Sequence, residues 1–173
     1  KNLMTESIMT NIHLHNVNLT SNSGPNSFGK KLFNSLRDKG VSFNAEEEAD
    51  AALVFIESTN SKIKAPMIQR LDGIYFNSEQ DYNRQNKNIL NTYESAKGVV
   101  FQSEFNKVLT TKYFGDHSNY CVIHNGSDLE LISKLPKLEA GVFSNYDKVW
   151  LSASSWRPHK RLSDNINYFL EYA

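Results

Sequence analysis

The sequence predicts an α/β fold: an open, mostly parallel sheet with helices on both faces. Three observations predict it. Apolar runs of strand length alternate with stretches of helical periodicity along the chain. The run Ala51 to Ile56 is apolar without alternation, as expected of a strand covered on both faces. The resulting β-α-β-α order fits parallel strands joined by crossover helices.

Each element has its own signal. Ile12 to Val17 reads as the first strand, followed by a loop over Asn18 to Asn26. A helix is predicted from about Ser27 to Lys39, because Phe28, Leu32, Phe33 and Leu36 recur at helical spacing and Gly40 marks a stop. Val41 to Phe43 is a short strand, and Pro66 to Asp72 is another that ends at an Asp-Gly turn. The next helix runs from about Glu79 to Lys97, with Tyr82, Ile89, Leu90 and Tyr93 on one side. Gly98 to Ser103 is a strand whose last residue can cap a helix with the stripe Phe105, Val108, Leu109 and Tyr113, ended by Gly115. Tyr120 to His124 is a strand, and Asn125-Gly126 reads as a tight turn needing positive φ. Ser127 and Asp128 open a helix that Pro136 closes. Lys137 to Asp147 reads as a linker, and an apolar strand from Val149 leads into a basic turn and a final helix.

Composition narrows the function classes. The 173 residues carry 19 basic and 19 acidic side chains, so no net field favours nucleic acid or an anionic membrane. No apolar run has the length of a bilayer span, and nothing near Lys1 resembles a signal peptide. A lone Cys121 in an apolar run is expected in the core. These features predict a cytoplasmic protein whose sequons at Asn18 and Asn125 carry no glycan. Residues 1–8 are expected to be disordered or carried over from expression, with Met4 or Met9 as the native start. The histidines and the run Glu46 to Glu48 lack zinc-ligand spacing, so no metal site is expected. His13 and His15 share a strand face, where His15 could reach a cleft or simply be a satisfied sheet histidine.

Ligands of open parallel sheets gather outside the carboxyl ends of the strands. The loop after the first strand contains Ser23-Gly-Pro-Asn-Ser-Phe-Gly-Lys-Lys31, whose Gly24 and Gly29 permit close backbone approach ahead of a helix N-terminus. It is nearly a P-loop, but Lys31 stands where Ser or Thr would bind magnesium, and Glu57 stands in place of the usual aspartate.

Four segments, in order, resemble the N-terminal domain of GT-B glycosyltransferases, specifically the retaining family 4 group. They are Ser23-Gly-Pro-Asn26, Gln69-Arg-Leu-Asp-Gly73, Val100-Phe-Gln-Ser103 and Val122-Ile-His-Asn-Gly-Ser-Asp128. The last is similar to the family signature Val-Ile-Pro-Asn-Gly-Val-Asp. The resemblance implies a Rossmann-like acceptor lobe over residues 9–136, a linker over 137–147, and at 148–173 either the truncated start of a donor lobe or a helix packed back on the first.

The resemblance implies transfer of a hexose from a nucleotide-sugar such as a UDP- or GDP-hexose to a saccharide or other acceptor, with retention and without a metal or other cofactor. Gly24, Pro25, Asn26, Arg70, Gln102, Ser103, Asn125 and Gly126 would line the acceptor and donor cleft. Asp72 takes a position facing the reacting sugar, often His in relatives; alternatively Arg70 and Asp72 form a structural ion pair. Ser103 has the alternative of a plain helix cap, and Asn125 and Gly126 that of a turn. Arg157, Lys160 and Arg161 correspond to the basic start of the donor lobe, where cations neutralise a diphosphate; alternatively this basic cluster is a solvated helix start. The family's Glu-x7-Glu element has no counterpart after Lys160, so the chain is expected to be one lobe of a two-lobed enzyme, weakly active alone. The expected partners are the nucleotide-sugar donor and the saccharide acceptor, with peripheral membrane contact and a dimer through the C-terminal helix as further options. Two other readings stay open: a non-catalytic carbohydrate- or nucleotide-binding Rossmann-like module, and a P-loop-like phosphotransferase.

Overall fold

The computed structural model describes residues 10–21, 23–59, 63–139, 141–152, 154, 156 and 160–172. The first eight residues and the start candidates Met4 and Met9 lie outside the described residues. The chain divides into two compact units, Lys1–Gly126 and Ser127–Ala173.

The first unit is the predicted open sheet, and every strand pair in it is parallel. Its strands are β1 (Asn11–His15), β2 (Ser42–Phe43), β3 (Ala51–Phe55), β4 (Met67–Leu71), β5 (Gly98–Phe101) and β6 (Tyr120–Val122), in the order β2-β1-β3-β4-β5-β6. All five pairings are parallel. From β1 the chain steps one way to β2, and from β3 it steps the other way to β6. Right-handed crossovers in opposite directions put their helices on opposite faces. Accordingly α1 (Gly24–Arg37) lies on one face, where Phe28 meets Phe55 at a ring-centroid distance of 6.2 Å. Helices α2 (Tyr82–Ser95) and α3 (Glu104–Phe114) cover the other face, around a core of Leu71, Ile74, Ile89, Tyr93, Ala96, Val99 and Phe101. Alternation along β4 follows: Gln69 bonds the Ile89 carbonyl of α2, whereas Arg70 lies over Phe28 of α1.

Three expectations are corrected. Helix α1 begins at Gly24, three residues early, because Pro25 sits in its first turn, where a missing N–H costs nothing. The stripe expected on α3 is buried only in part: Leu109 packs against the core, but other members do not. Phe105 and Val108 are 72% and 67% exposed, while Asn106 and Thr110 are buried. The reason is polar: Asn106 Nδ2 donates to the Leu71 carbonyl at 2.6 Å, and Thr110 Oγ1 donates to Asn106 Oδ1 at 3.2 Å. Cys121 is exposed, because β6 is an edge strand and its alternate residues, Tyr120 and Val122, share the face that holds Val99 and Phe101.

The second unit contains α4 (Leu129–Ser133), capped by Asp128 Oδ1 on the Leu131 N–H at 2.9 Å, and α5 (Leu162–Tyr172). Val149 to Leu151 form no strand. Instead Trp150 packs on Tyr168 and Phe169 of α5, at 5.7 and 5.3 Å between rings. Among the described residues no helix is long and apolar enough to cross a membrane.

Gly29 is the one buried residue of α1, and a Cβ there would lie 2.6 Å from Val17 Cγ1. That contact seats the helix on the end of β1. Gly29→Ala should destabilise the protein by about 1–3 kcal/mol through overpacking. Val17→Ala should recover part of the loss in the double variant, as read by urea unfolding.

Candidate functional site

Reversal of direction between β1 and β3 makes a topological switch point, the usual ligand crevice of an open parallel sheet. At the carboxyl ends of these two strands the backbone is left-handed at adjacent places, Asn16 (φ 59°) and Ile56 (φ 65°). Asparagine tolerates this conformation, but a β-branched residue does not adopt it without strain. The surroundings hold it there. Asn16 Nδ2 donates to the Phe55 carbonyl (2.8 Å), the Ile56 N–H to the Arg70 carbonyl (2.9 Å), and Gln69 Nε2 to the Ile56 carbonyl (2.7 Å). Gln69 is fully buried, and its Oε1 has no partner among the described residues.

Beside this strained pair lies a pocket of about 440 Å³, lined by Asn16, Asn18, Ser23, Pro25, Asn26 and Ile56, with Val17 behind them. The predicted residues Pro25 and Asn26 are therefore pocket walls. Asn26 also pins the loop, since its Oδ1 accepts from the Asn18 N–H (2.8 Å) and its Nδ2 donates to Ser23 Oγ (2.9 Å). Ser23, the N-cap residue, makes no side-chain cap bond, so the first turn of α1 keeps N–H groups for a ligand. Gly24 has open space where a Cβ would stand, whereas the close approach at Gly29 is to Val17. Because residues 24–30 are helical from the first glycine, they do not form the phosphate-wrapping turn of a P-loop.

A second set of predicted residues converges at the ends of β4, β5 and β6. The Arg70 guanidinium, its side chain only 7% exposed, lies 3.9 Å from the Phe28 ring centroid and 5.2 Å from that of Phe55. Its Nη1 pairs with Asp72 Oδ1, and its Nη2 donates to Asn125 Oδ1 at 2.9 Å. Asn125 Nδ2 donates to Gln102 Oε1 (3.0 Å), and Gln102 Nε2 donates to the Asp72 carbonyl (2.5 Å). Arg70, Asp72, Gln102 and Asn125 thus form one closed ring. The structural ion pair is present, and it leaves Asp72 Oδ2 without a partner among the described residues.

Burial pushes the Asp72 carboxyl above its ordinary value of 3.8, against the opposing pull of Arg70. Burial lowers Arg70 in turn, with Asp72 opposing.

Other predicted positions have different roles. Ser103 is a cap, accepting from the Asn106 N–H at 3.1 Å. Neither Asn125 nor Gly126 has positive φ, so the expected tight turn is absent, and Asn125 serves the ring instead. No side chain would clash at Gly126. Lys160 and Arg161 belong to the second unit; Arg161 Nε pairs with Asp164 Oδ2 at 2.6 Å, and the Lys160 side chain is exposed. Arg157 lies outside the described residues. His13 and His15 do share a strand face, with rings 5.8 Å apart, and His15 Nε2 is hydrogen-bonded to Ser58 Oγ at 3.0 Å. Among the described residues no group of three or more His, Cys, Asp or Glu could hold a metal ion.

Sequence reasoning missed Asn16, Ile56 and Gln69. A glutamine beside the arginine in a strand of otherwise apolar residues was a usable signal for the last; nothing in the sequence marks a left-handed isoleucine. Searches against protein-family models, curated proteins and solved structures gave no match.

The Asp72 midpoint should lie above 3.8 in a carboxyl-carbon NMR titration. A raised folded value means that the proton's contribution to stability is present below the ordinary value and is lost as pH rises through the shifted midpoint. Asn125→Ala, which removes one charge-assisted bond from a nearly buried guanidinium, should cost about 1–3 kcal/mol in chemical unfolding.

Proposed function

We propose that the chain supplies the acceptor-side lobe of a nucleotide-sugar-dependent, retaining glycosyltransferase that transfers a hexose to a saccharide or other acceptor. One observation carries the reading. Three separated segments that resemble family 4 place Arg70, Asp72, Gln102 and Asn125 in a single hydrogen-bonded ring at the carboxyl edge of the sheet. The segments follow adjacent parallel strands, whose carboxyl ends lie side by side where open sheets bind ligands, and the ring joins their side chains there. The fourth, Ser23 to Asn26, walls the switch-point pocket on the same edge.

In this reading the bond between the anomeric carbon and the diphosphate oxygen breaks, and a bond from the same carbon to the acceptor oxygen forms on the same face. The acceptor proton passes to the departing diphosphate oxygen. Asp72 offers its unpaired Oδ2 to hydroxyls of the reacting sugar or acceptor. Arg70 fixes that carboxylate, and its own charge is taken up by Asp72 and Asn125. The resemblance assigns the positive charge for the diphosphate to Arg157, Lys160 and Arg161, of which Arg161 is paired with Asp164. Fixed positive charge is what a leaving diphosphate requires as its negative charge grows.

The pairing of Asp72 also supports the second reading, a non-catalytic carbohydrate- or nucleotide-binding module, because a carboxylate already held by arginine is a good hydroxyl acceptor. Calorimetric titration of the chain with UDP, GDP, UDP-glucose and GDP-mannose separates the two, together with assays of hexose transfer. The glycosyltransferase reading expects binding of a nucleoside diphosphate that Lys160→Ala weakens about tenfold. It also expects Asp72→Asn to remove transfer while keeping nucleotide affinity. Saccharide binding with no response to any nucleotide would favour the module, and no binding of either would overturn both.

A further inference from the structure

At the amino edge of the sheet, opposite the carboxyl-edge site, a pocket of about 500 Å³ lies where α2 and α3 both end. We propose that it binds a small organic cation bearing a primary ammonium group, independently of the carboxyl-edge reading.

The last turn of α2 and its link to β5 form one wall, and the end of α3 with its link to β6 forms the other. Internal bonds tie the two walls together. Tyr93 Oη donates to the Gly115 carbonyl at 2.9 Å, and Asn119 Nδ2 donates to the Lys97 carbonyl at 2.7 Å. His117 Nδ1 accepts from the Asn119 N–H at 3.1 Å, so the ring proton is on Nε2, which donates to the Ala96 carbonyl at 3.1 Å. Tyr93 and Ala96 are buried, and Phe114 packs on Tyr93 with ring centroids 5.5 Å apart.

The charges select the ligand. Glu94 and Asp116 bring two carboxylates to the described walls against one ammonium, that of Lys97. All three residues are exposed, and none of their side chains forms an ion pair or hydrogen bond among the described residues. Two helix C-termini meet at the same place, each carrying the negative end of its dipole. No basic residue in the last turn of α2 offsets it. The field reaches into the wall: burial first, and Asp116 second, push the Tyr93 hydroxyl above its ordinary value of 10.0. An ammonium group answers this field with a charge and three donors, while Tyr93, Ala96 and Phe114 give apolar surface to the carbon chain behind it. A bare metal ion has no such match, because no group of three or more His, Cys, Asp or Glu among the described residues could hold one. An anion would meet two carboxylates and two negative helix ends. The volume lies within the range of small-molecule pockets.

The test is an amide NMR titration of the whole chain with putrescine and spermidine, with succinate as an anionic counterpart and magnesium chloride at matched ionic strength. The expected result is saturable movement of the backbone signals of Glu94, Lys97, Asp116 and Ser118 with at least one amine. Succinate and magnesium should bind at least about tenfold more weakly. Glu94 and Asp116 are exposed, so Glu94→Gln and Asp116→Asn should each weaken the amine about threefold or more while leaving the unfolding midpoint unchanged. Lys97→Gln should tighten it, since that change removes the opposing charge from the described walls. The proposal is overturned by no saturable movement at these positions, by equal binding of succinate or magnesium, by unchanged affinity in both carboxylate variants, or by weaker binding in Lys97→Gln. Movement confined to Asp72, Gln102 and Asn125 would also overturn it, while leaving the carboxyl-edge reading intact.

Discussion

A nearly buried guanidinium organises the first unit. Taking a cation out of water is costly unless charge and hydrogen bonds replace the lost solvent. Arg70 therefore needs all of its neighbours at once: two phenyl rings, a carboxylate and an amide. Phe28 comes from α1, Phe55 from the end of β3, Asp72 from the end of β4, and Asn125 from the chain after β6. One side chain thus ties together four segments distant in sequence, and it does so at the edge where open parallel sheets bind ligands. The same demand fixes the carboxylate: with Oδ1 committed to Arg70, Asp72 presents its other oxygen in a defined place.

The strained backbone next to this ring has the same logic. Ile56 is held left-handed because its N–H and carbonyl are both claimed, by the Arg70 carbonyl and the Gln69 amide. Gln69 and Arg70 are neighbours on β4 that point to opposite faces, so one strand supports both halves of the carboxyl edge. Strain of this kind persists where the surroundings over-determine a conformation, commonly at ligand sites. Gln69 does this from the α2 side at the expense of an unpartnered, fully buried Oε1.

Much of the fold was legible because the strands are covered runs with clear punctuation. Gly40, Ser103 and Gly115 mark element ends as expected, and all six strands of the sheet were read within about two residues. The failures share a cause. On α3, Phe105 and Val108 follow helical spacing yet face solvent, because Asn106 must reach the Leu71 carbonyl; periodicity counts apolar residues and cannot see a demand for one hydrogen bond. The strand read from Val149 has no partner strand among the described residues, and pairing is a tertiary property. In the site, Arg70, Asp72, Gln102 and Asn125 were each named from the sequence, but their closure into a ring was not, since it joins residues up to 55 positions apart. Ile56 was invisible, as its φ is imposed by neighbours and not by its own chemistry.

The most direct measurement is nitrogen-15 NMR of the Arg70 guanidinium. Nη1 and Nη2 are bound to different partners, so rotation about the Cζ–Nε bond should be slowed. Separate Nη signals with protected protons should then be seen, collapsing toward a single averaged signal in Asn125→Ala. A single, freely exchanging Nη signal in the unaltered chain would contradict the account, because a guanidinium free to rotate is not the post to which Asp72 and the carboxyl edge are tied.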